Sequence, residues 1–112
     1  MLTRTNRLSQ ESEITTTKRN GRAVYNSFFK IKYLISDKND SRFAVVVSTK
    51  VSKKAIQRNR LRRQCLEIIR LNLKNIKPFY NVVVWVNQKT IDADYSDLEQ
   101  QLMSLFKKAR LI

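Results

Sequence analysis

The sequence lacks several residues on which catalytic and extracellular proteins commonly depend. Its 112 residues include no histidine and a single cysteine, Cys65. One cysteine cannot form an internal disulfide, and without histidine it has no partner for nucleophilic catalysis or for a zinc site. We therefore expect Cys65 to be a buried, reduced thiol, and we expect the chain to supply no catalytic residue and no metal ligand.

Long apolar runs, glycine and proline are also scarce. No uninterrupted apolar stretch approaches the roughly 18 residues of a membrane span, and the N-terminal MLTRTNRLSQ lacks the apolar core of a secretory signal. The sequence thus predicts a cytoplasmic protein without a membrane partner. A single glycine and a single proline predict short connections, so residues 1–112 are expected to form one domain.

Acidic residues are few, and the charge is unevenly distributed. Lys and Arg number 23 against 9 Asp and Glu, which gives a formal net charge of +14. Residues 42–80 hold 11 of the basic residues and one acidic residue, Glu67, so this third of the chain carries +10 of the surplus. Such a charge repels itself unless salt or an anionic partner neutralises it, and it therefore indicates where a polyanion binds.

Three segments have the patterns of strands. Residues 25–35 alternate between two sets of side chains, which predicts a strand with one face more buried than the other. Residues 42–49 and 80–86 are β-branched runs typical of central strands. The part of the chain from 42 to 86 has the spacing of a strand, a crossover helix and a second strand, so a sheet packed with helices is expected.

Three further segments have helical patterns: SQESEITTTKRNG, residues 52–73, and YSDLEQQLMSLFKKARL. Gly21 is predicted to end the first helix in a left-handed conformation. Caps are predicted at Ser9 or Ser12, at Ser52, and at Ser96, the last in a capping box with Glu99.

The start of the second helix, KKAIQRNRLRR, has six cationic side chains in residues 53–63 and no acidic one. Its apolar stripe is filled only from Leu61 onward, so the preceding turns are basic nearly all round and should emerge from the core. Cations at a helix N-terminus oppose the helix dipole by about 0.3 to 1 kcal/mol each. A phosphate backbone would reverse that sign, so the segment predicts a nucleic-acid contact.

Other readings of the charged and aromatic residues remain open at this point. The basic segment also suits a solvated charged face or a helix lying on an acidic membrane. Asp92, Asp94 and Asp97 suit either a metal-dependent nuclease or simple capping and loop solvation, and the second is the simpler explanation. The aromatics that interleave with Lys30 and Lys32 suit either base stacking or core packing; they are Tyr25, Phe28, Phe29 and Tyr33.

RNRLRR, at residues 58–63, follows STKVSKKAIQ and a valine-rich strand, and in this context it resembles the bacterial ribonuclease P protein component. The resemblance extends through NRL at residues 6–8, Gly21, NIKPFYNVVVWV and the closing YSDLEQQLMSLFKKARL. It implies an α+β fold, an α/β sandwich in which a mixed, four-stranded sheet packs with three helices. The motif helix would lie in a left-handed βαβ crossover, as in the ribosomal protein S5 domain 2-like fold.

The resemblance also implies a function. In that family the RNA subunit is the catalyst, and with Mg²⁺ it hydrolyses precursor tRNA to create the mature 5′ end. The protein binds the RNA subunit and the single-stranded 5′ leader, and no small-molecule substrate is implied. Carried over to this chain, the contacts to the RNA subunit would be Lys50, Lys53, Lys54, Arg58, Asn59, Arg60, Arg62 and Arg63.

The family's leader-binding cleft uses aromatic residues, and the matching positions here are Ile14, Lys18 and Lys32. Phe29 on the neighbouring strand remains an aromatic candidate, and leader binding is expected to depend more on charge in this chain. The runner-up is a non-enzymatic basic structural RNA-binding protein, similar to a ribosomal protein. A third candidate is an independent nuclease that uses the aspartates.

Overall fold

Residues 2–112 are described by a computed structural model, which contains three α-helices, four β-strands and three short 3₁₀ turns. The elements are α1 (Glu11–Asn20), β1 (Arg22–Tyr25), β2 (Phe29–Ile35), β3 (Arg42–Val46), α2 (Ala55–Leu71), β4 (Tyr80–Val86) and α3 (Tyr95–Lys108). The 3₁₀ turns are Arg4–Asn6, Leu73–Asn75 and Gln88–Asp92.

The four strands form one mixed sheet in the order β1-β2-β4-β3. β2 pairs antiparallel with both β1 and β4, whereas β3 runs parallel to β4. A parallel pair requires a crossover, and α2 supplies it between β3 and β4. The predicted α+β class with three helices and a four-stranded sheet is confirmed, and the left-handed sense of the crossover stays a prediction.

Alternation along the strands gives the sheet two unlike faces. One face places the side chains of Phe29, Ile31 and Phe43 in the apolar core, which α2 and α3 complete with Leu61 and Phe106. The other face lies under α1, and the side chains there are more polar. The helices that cover the core and the helix that covers the second face therefore lie on opposite sides of the sheet.

The strand predicted over residues 25–35 is confirmed over Phe29–Ile35, but it begins later than expected, because residues 26–28 form the turn of a β-hairpin that joins β1 to β2. The backbone N–H of Asn26 donates to the carbonyl of Phe29 at 2.9 Å. Its side-chain oxygen accepts from the N–H groups of Phe28 and Phe29, both at 2.9 Å. An asparagine side chain can replace a backbone acceptor in this way, so the turn needs neither glycine nor proline.

Gly21 ends α1 as predicted, but for a different physical reason. Its φ is −71°, which any residue adopts, so the predicted left-handed conformation is wrong. A Cβ at this position would lie 2.5 Å from the carbonyl oxygen of Thr17 and 3.0 Å from that of Tyr33. Glycine is required because a side chain here would meet the carbonyl of Thr17 in α1 and that of Tyr33 in β2.

Three predicted caps are wrong. α1 begins after Gln10, without a side-chain cap from Ser9 or Ser12. α2 begins after Lys54 and not at Ser52, whose hydroxyl instead accepts from the N–H of Lys54 at 3.1 Å. The second helix is therefore shorter than the predicted range 52–73, at Ala55–Leu71. The strand predicted over residues 42–49 is also shorter, at Arg42–Val46.

The cap of α3 is Asp94, two residues before the predicted Ser96. Its carboxylate accepts from the N–H of Asp97 at 2.9 Å, as an N-cap does. We expect Asp94→Ala to lower the free energy of unfolding by about 1 kcal/mol. Ser96→Ala is the matched control and should leave it nearly unchanged, since Ser96 is exposed inside the helix. Urea unfolding of both variants measures the difference, and a larger loss in Ser96→Ala would restore the original prediction.

Cys65 lies on the buried face of α2 with no exposed surface, and it is a free thiol as predicted. Burial raises the pKa of this thiol to about 12, so it stays protonated and unreactive near neutral pH. Within residues 2–112, no helix is long and apolar enough to span a membrane.

Candidate nucleic-acid interface

α2 is divided into a buried half and an exposed half. From Leu61 onward its inward-facing residues, including Cys65 and Ile68, have almost no exposed surface. Its first six residues, 55–60, have none that is buried. The helix therefore leaves the core at its N-terminal end, as the sequence predicts.

The four arginines of the motif differ in their contacts: Arg58 and Arg62 are hydrogen-bonded within the chain, and Arg60 and Arg63 are not. Arg58 donates to the backbone carbonyl of Ser52 at 3.0 Å, and Arg62 donates to the side-chain oxygen of Asn59 at 2.7 Å. Both residues are partly buried, and the bond from Arg58 ties the first turn of α2 to the loop before it. Arg60 and Arg63 are exposed, and neither has a carboxylate partner among the described residues.

The ion pairs recorded within residues 2–112 lie elsewhere. Glu13 of α1 pairs with Arg42 of β3. Glu67 pairs with Arg70 one turn later in α2, and hydrogen bonding from Arg70 lowers the pKa of Glu67 to about 2. The acidic residue of the middle third thus neutralises an arginine outside the motif, and the motif charges are left for a partner.

The three motif lysines precede the helix in an exposed loop. Lys50, Lys53 and Lys54 are all exposed, and Lys54 is the N-cap residue. No side chain caps the first turn of α2, and no acidic residue lies in it. Backbone N–H groups without acceptors, surrounded by cations, are suited to phosphate oxygens. The eight residues predicted to contact RNA lie in the loop before α2 and in its first half, and all are exposed or partly exposed. We call them the motif surface: Lys50, Lys53, Lys54, Arg58, Asn59, Arg60, Arg62 and Arg63.

The sequence did not indicate that an exposed apolar residue lies among the cations of the motif surface. Ile56 is 83% exposed in the first turn of α2. Shallow grooves flank it, one bordered by Lys54 and Arg60 and the other by Asn59 and Arg63. An exposed isoleucine between cations offers the apolar contact that a ribose or a base requires. A single apolar letter in a basic run has no periodic pattern, so the sequence alone did not distinguish it from a core residue.

The residues predicted for the leader cleft are only partly brought together. Ile14 and Lys18 lie on α1, and Lys32 lies on the facing part of β2, where its ammonium donates to the carbonyl of Lys18 at 2.6 Å. Phe29 is 1% exposed and points into the core on the opposite face, so its prediction as a stacking residue is wrong. Its position in the alternation of β2 places it beside Ile31 and not beside Lys30 and Lys32.

The face under α1 carries two aromatics that were not assigned to the site. Trp85 of β4 pairs with Lys30 of β2, and Lys30 pairs in turn with Tyr25 of β1. Directly paired residues of antiparallel strands point to the same face, so these side chains form a row across the sheet. Phe28 and Tyr33 pack against the core. For these two aromatics, core packing and not base stacking is the correct prediction.

The aspartates do not assemble into a reactive group. Asp94 caps α3, and Asp92 ends the 3₁₀ turn before it. Among residues 2–112, no three histidine, cysteine, aspartate or glutamate side chains lie close enough to hold a metal ion together. The side chains present therefore do not fit a catalytic Mg²⁺ site formed by this part of the chain alone.

The fold and this surface define a class of protein: a small, basic α+β domain that presents one exposed arginine helix to a polyanion. A family model described as Ribonuclease P matches residues 2–110. Ribonuclease P protein components from Clostridioides difficile and Synechocystis are each 36% identical to the chain, over 94% and 99% of its length and 92% and 90% of theirs. The chain therefore belongs to the ribonuclease P family.

Solved structures agree with this assignment. The RNase P protein from Thermotoga maritima superposes with a TM-score of 0.83 at 26% identity, over 91% of this chain and 96% of that one. The RNase P protein from Staphylococcus aureus superposes with a TM-score of 0.87 at 20% identity, over 95% of this chain and 96% of that one, and so shares the fold.

Proposed function

We propose that this chain is the RNA-binding protein subunit of a cytoplasmic ribonuclease P and binds the RNA subunit through the motif surface. The observation that carries the proposal is the exposure of Arg60 and Arg63 without carboxylate partners, on a helix whose first turn has no side-chain cap. Guanidinium forks and free N–H groups match the oxygens of a phosphate backbone. The family assignment supports ribonuclease P RNA as the polymer that bears those phosphates.

In this proposal the chemistry belongs to the RNA subunit. Hydrolysis at the 5′ end of the mature tRNA needs a nucleophile and stabilisation of charge on phosphate, and the RNA subunit and substrate would hold the Mg²⁺ that supplies both. The protein would neutralise the phosphates of the RNA subunit. It would also hold the 5′ leader of precursor tRNA in the cleft between α1 and the sheet.

One assay separates this proposal from the two others. Precursor tRNA is incubated at low Mg²⁺ with the purified chain, with bacterial ribonuclease P RNA, and with both. Cleavage restored only in the mixture supports the proposal. Cleavage by the chain alone would show an independent nuclease, and failure of the mixture would leave a structural RNA-binding protein.

The charge of the cleft predicts a salt-sensitive contribution to leader binding. Lys18 is exposed on α1, and its ammonium has no hydrogen bond to the described residues, so a leader phosphate can replace solvent there. Lys18→Ala should weaken leader binding severalfold at physiological salt, and lower salt should restore affinity, because the remaining cations are then less screened. Lys32→Ala should behave similarly.

The measurement is the affinity of the reconstituted complex for precursor tRNA with a leader, over a range of salt concentrations. Lys38→Ala is the matched control, since Lys38 is exposed in the turn after β2, at the other end of that strand from Lys30. Losses in Lys18→Ala that do not change with salt would contradict an electrostatic role.

A further inference from the structure

Ile56 is the most exposed large apolar side chain within residues 2–112, at 83%. It neither belongs to the apolar core nor packs against it, because α2 enters the core only at Leu61. Its branched side chain also makes isoleucine a weaker helix former than alanine, arginine or lysine. Neither packing nor helix propensity therefore accounts for an isoleucine at this position.

Ile56 lies on the same face of α2 as the two exposed arginines of the motif. Side chains four and seven residues apart lie along one face of a helix, which places Arg60 and Arg63 in line with Ile56. A shallow groove runs along each side of the isoleucine. Lys54 and Arg60 border one groove, and Arg63 and the partly buried Leu66 border the other. An anion held by either arginine would bring the rest of its molecule over the apolar side chain.

The surroundings of Ile56 indicate the chemistry of its partner. One apolar side chain among cations is too small for a stable protein interface, which buries about 800 Å² on each partner. A nucleotide combines an anionic phosphate with the apolar face of a base, and proteins pack isoleucine against bases in this way. The charge and the apolar group together therefore favour a nucleotide.

A regular RNA duplex would not offer such a base face. Its bases are stacked on one another, and its major groove is too deep and narrow for side chains to enter. An unpaired base at a bulge, a junction or the end of a helix is accessible. Ile56 therefore fits a nucleotide that lies outside a regular helix.

We propose that Ile56 packs against an unpaired base of ribonuclease P RNA, and that this contact makes the motif surface prefer a folded RNA to a regular duplex. The proposal deepens the proposed function and rests on it. The cations bind any phosphate backbone, whereas Ile56 is a specificity-determining residue that carries no charge.

The first measurement compares two RNAs that bind the full chain. Ile56→Ala should lower the affinity for bacterial ribonuclease P RNA by about tenfold, because it removes most of an apolar side chain that is buried in the complex. Its affinity for a fully paired RNA duplex should stay unchanged. The slope of log K against log salt should also stay unchanged for both RNAs, since no cation is lost.

Urea unfolding of Ile56→Ala shows whether the loss reflects a structural defect. Alanine is the strongest helix former, so the free variant should be at least as stable as the wild type. Leu71→Ala is the matched control for RNA binding. Leu71 is 54% exposed at the other end of α2, outside the motif surface, and its replacement should leave both affinities unchanged.

The second measurement uses Ile56→Lys, for which charge and apolar contact predict opposite results. An added cation tightens binding to any polyanion if charge alone determines affinity. Loss of the apolar contact should instead weaken binding to ribonuclease P RNA severalfold, while binding to the duplex becomes tighter. Ile56→Leu should retain most of the wild-type preference, because it keeps an apolar side chain of the same size.

The outcomes separate this proposal from the proposed function. Wild-type affinity in Ile56→Ala, or tighter binding of ribonuclease P RNA by Ile56→Lys, overturns the role of Ile56 and leaves the proposed function intact. Equal losses for the two RNAs in Ile56→Ala also overturn it, because they show no selection. Loss of binding to phosphatidylglycerol vesicles in Ile56→Ala, with unchanged RNA affinity, would assign the residue to a membrane surface instead. If the wild-type chain does not bind ribonuclease P RNA at all, the proposed function itself fails.

Discussion

Replacing Arg60 and Arg63 together with alanine is expected to lower the affinity for ribonuclease P RNA by about a hundredfold. Each guanidinium is exposed and free of carboxylates, so its phosphate contact would be a charge-assisted hydrogen bond. Such bonds contribute about 1.5 to 3 kcal/mol each, and about 1.4 kcal/mol corresponds to a tenfold change in affinity. The slope of log K against log salt should become shallower by about 0.9 for each phosphate that is no longer neutralised. Arg60→Ala alone should show half of the double variant's change in slope.

A control variant with the same charge distinguishes a direct phosphate interaction from a general loss of charge. Lys107→Ala/Lys108→Ala removes two exposed cations from the end of α3, away from the motif surface. It should change both affinity and slope much less. Equal effects in the two double variants, or an unchanged slope in Arg60→Ala, would show that these arginines contact no phosphate.

The largest expected effect on stability is that of Phe106→Ala. Phe106 has no exposed surface and stacks on Phe43 of β3, with ring centroids 6.2 Å apart and planes inclined by 25°. The contact joins α3 to an edge strand of the sheet. Removing a buried phenyl group costs about 3 to 5 kcal/mol, a large part of the roughly 5 to 15 kcal/mol typical of a whole domain.

Urea unfolding monitored by circular dichroism measures this loss. Met103→Ala is the matched control on the same helix, because Met103 is only partly buried against the core and should cost clearly less. A loss below about 1 kcal/mol for Phe106→Ala would show that the sheet and α3 do not depend on this contact.

The sequence predicted most of the fold because the strongest periodic patterns coincide with buried elements. Val82 and Val84 belong to a β-branched run that forms β4 with the predicted bounds, and Leu61 marks where α2 enters the core. The motif surface was predictable for a similar reason, since an unbalanced charge needs a partner wherever it is exposed.

What the sequence did not reveal depends on contacts between distant segments. Asn26 forms its turn through its own side chain, which is a local feature without a periodic pattern. The need for glycine at position 21 comes from two backbone carbonyls, that of Thr17 and that of Tyr33 twelve residues later, and the second cannot be foreseen from local sequence. Phe29 was expected in the leader cleft but lies in the core, because the face on which a strand residue lies follows from register, and register depends on which strands pair.

The missing side-chain cap at the start of α2 affects both the stability of the helix and its affinity for RNA. An aspartate or serine in place of Lys54 would accept from the free N–H groups and strengthen the isolated helix by about 1 kcal/mol. It would also remove a cation and occupy the amides that an RNA oxygen would otherwise take. The stability of the free protein and its affinity for RNA therefore favour different residues at position 54. Lysine there favours affinity for RNA at the expense of helix stability.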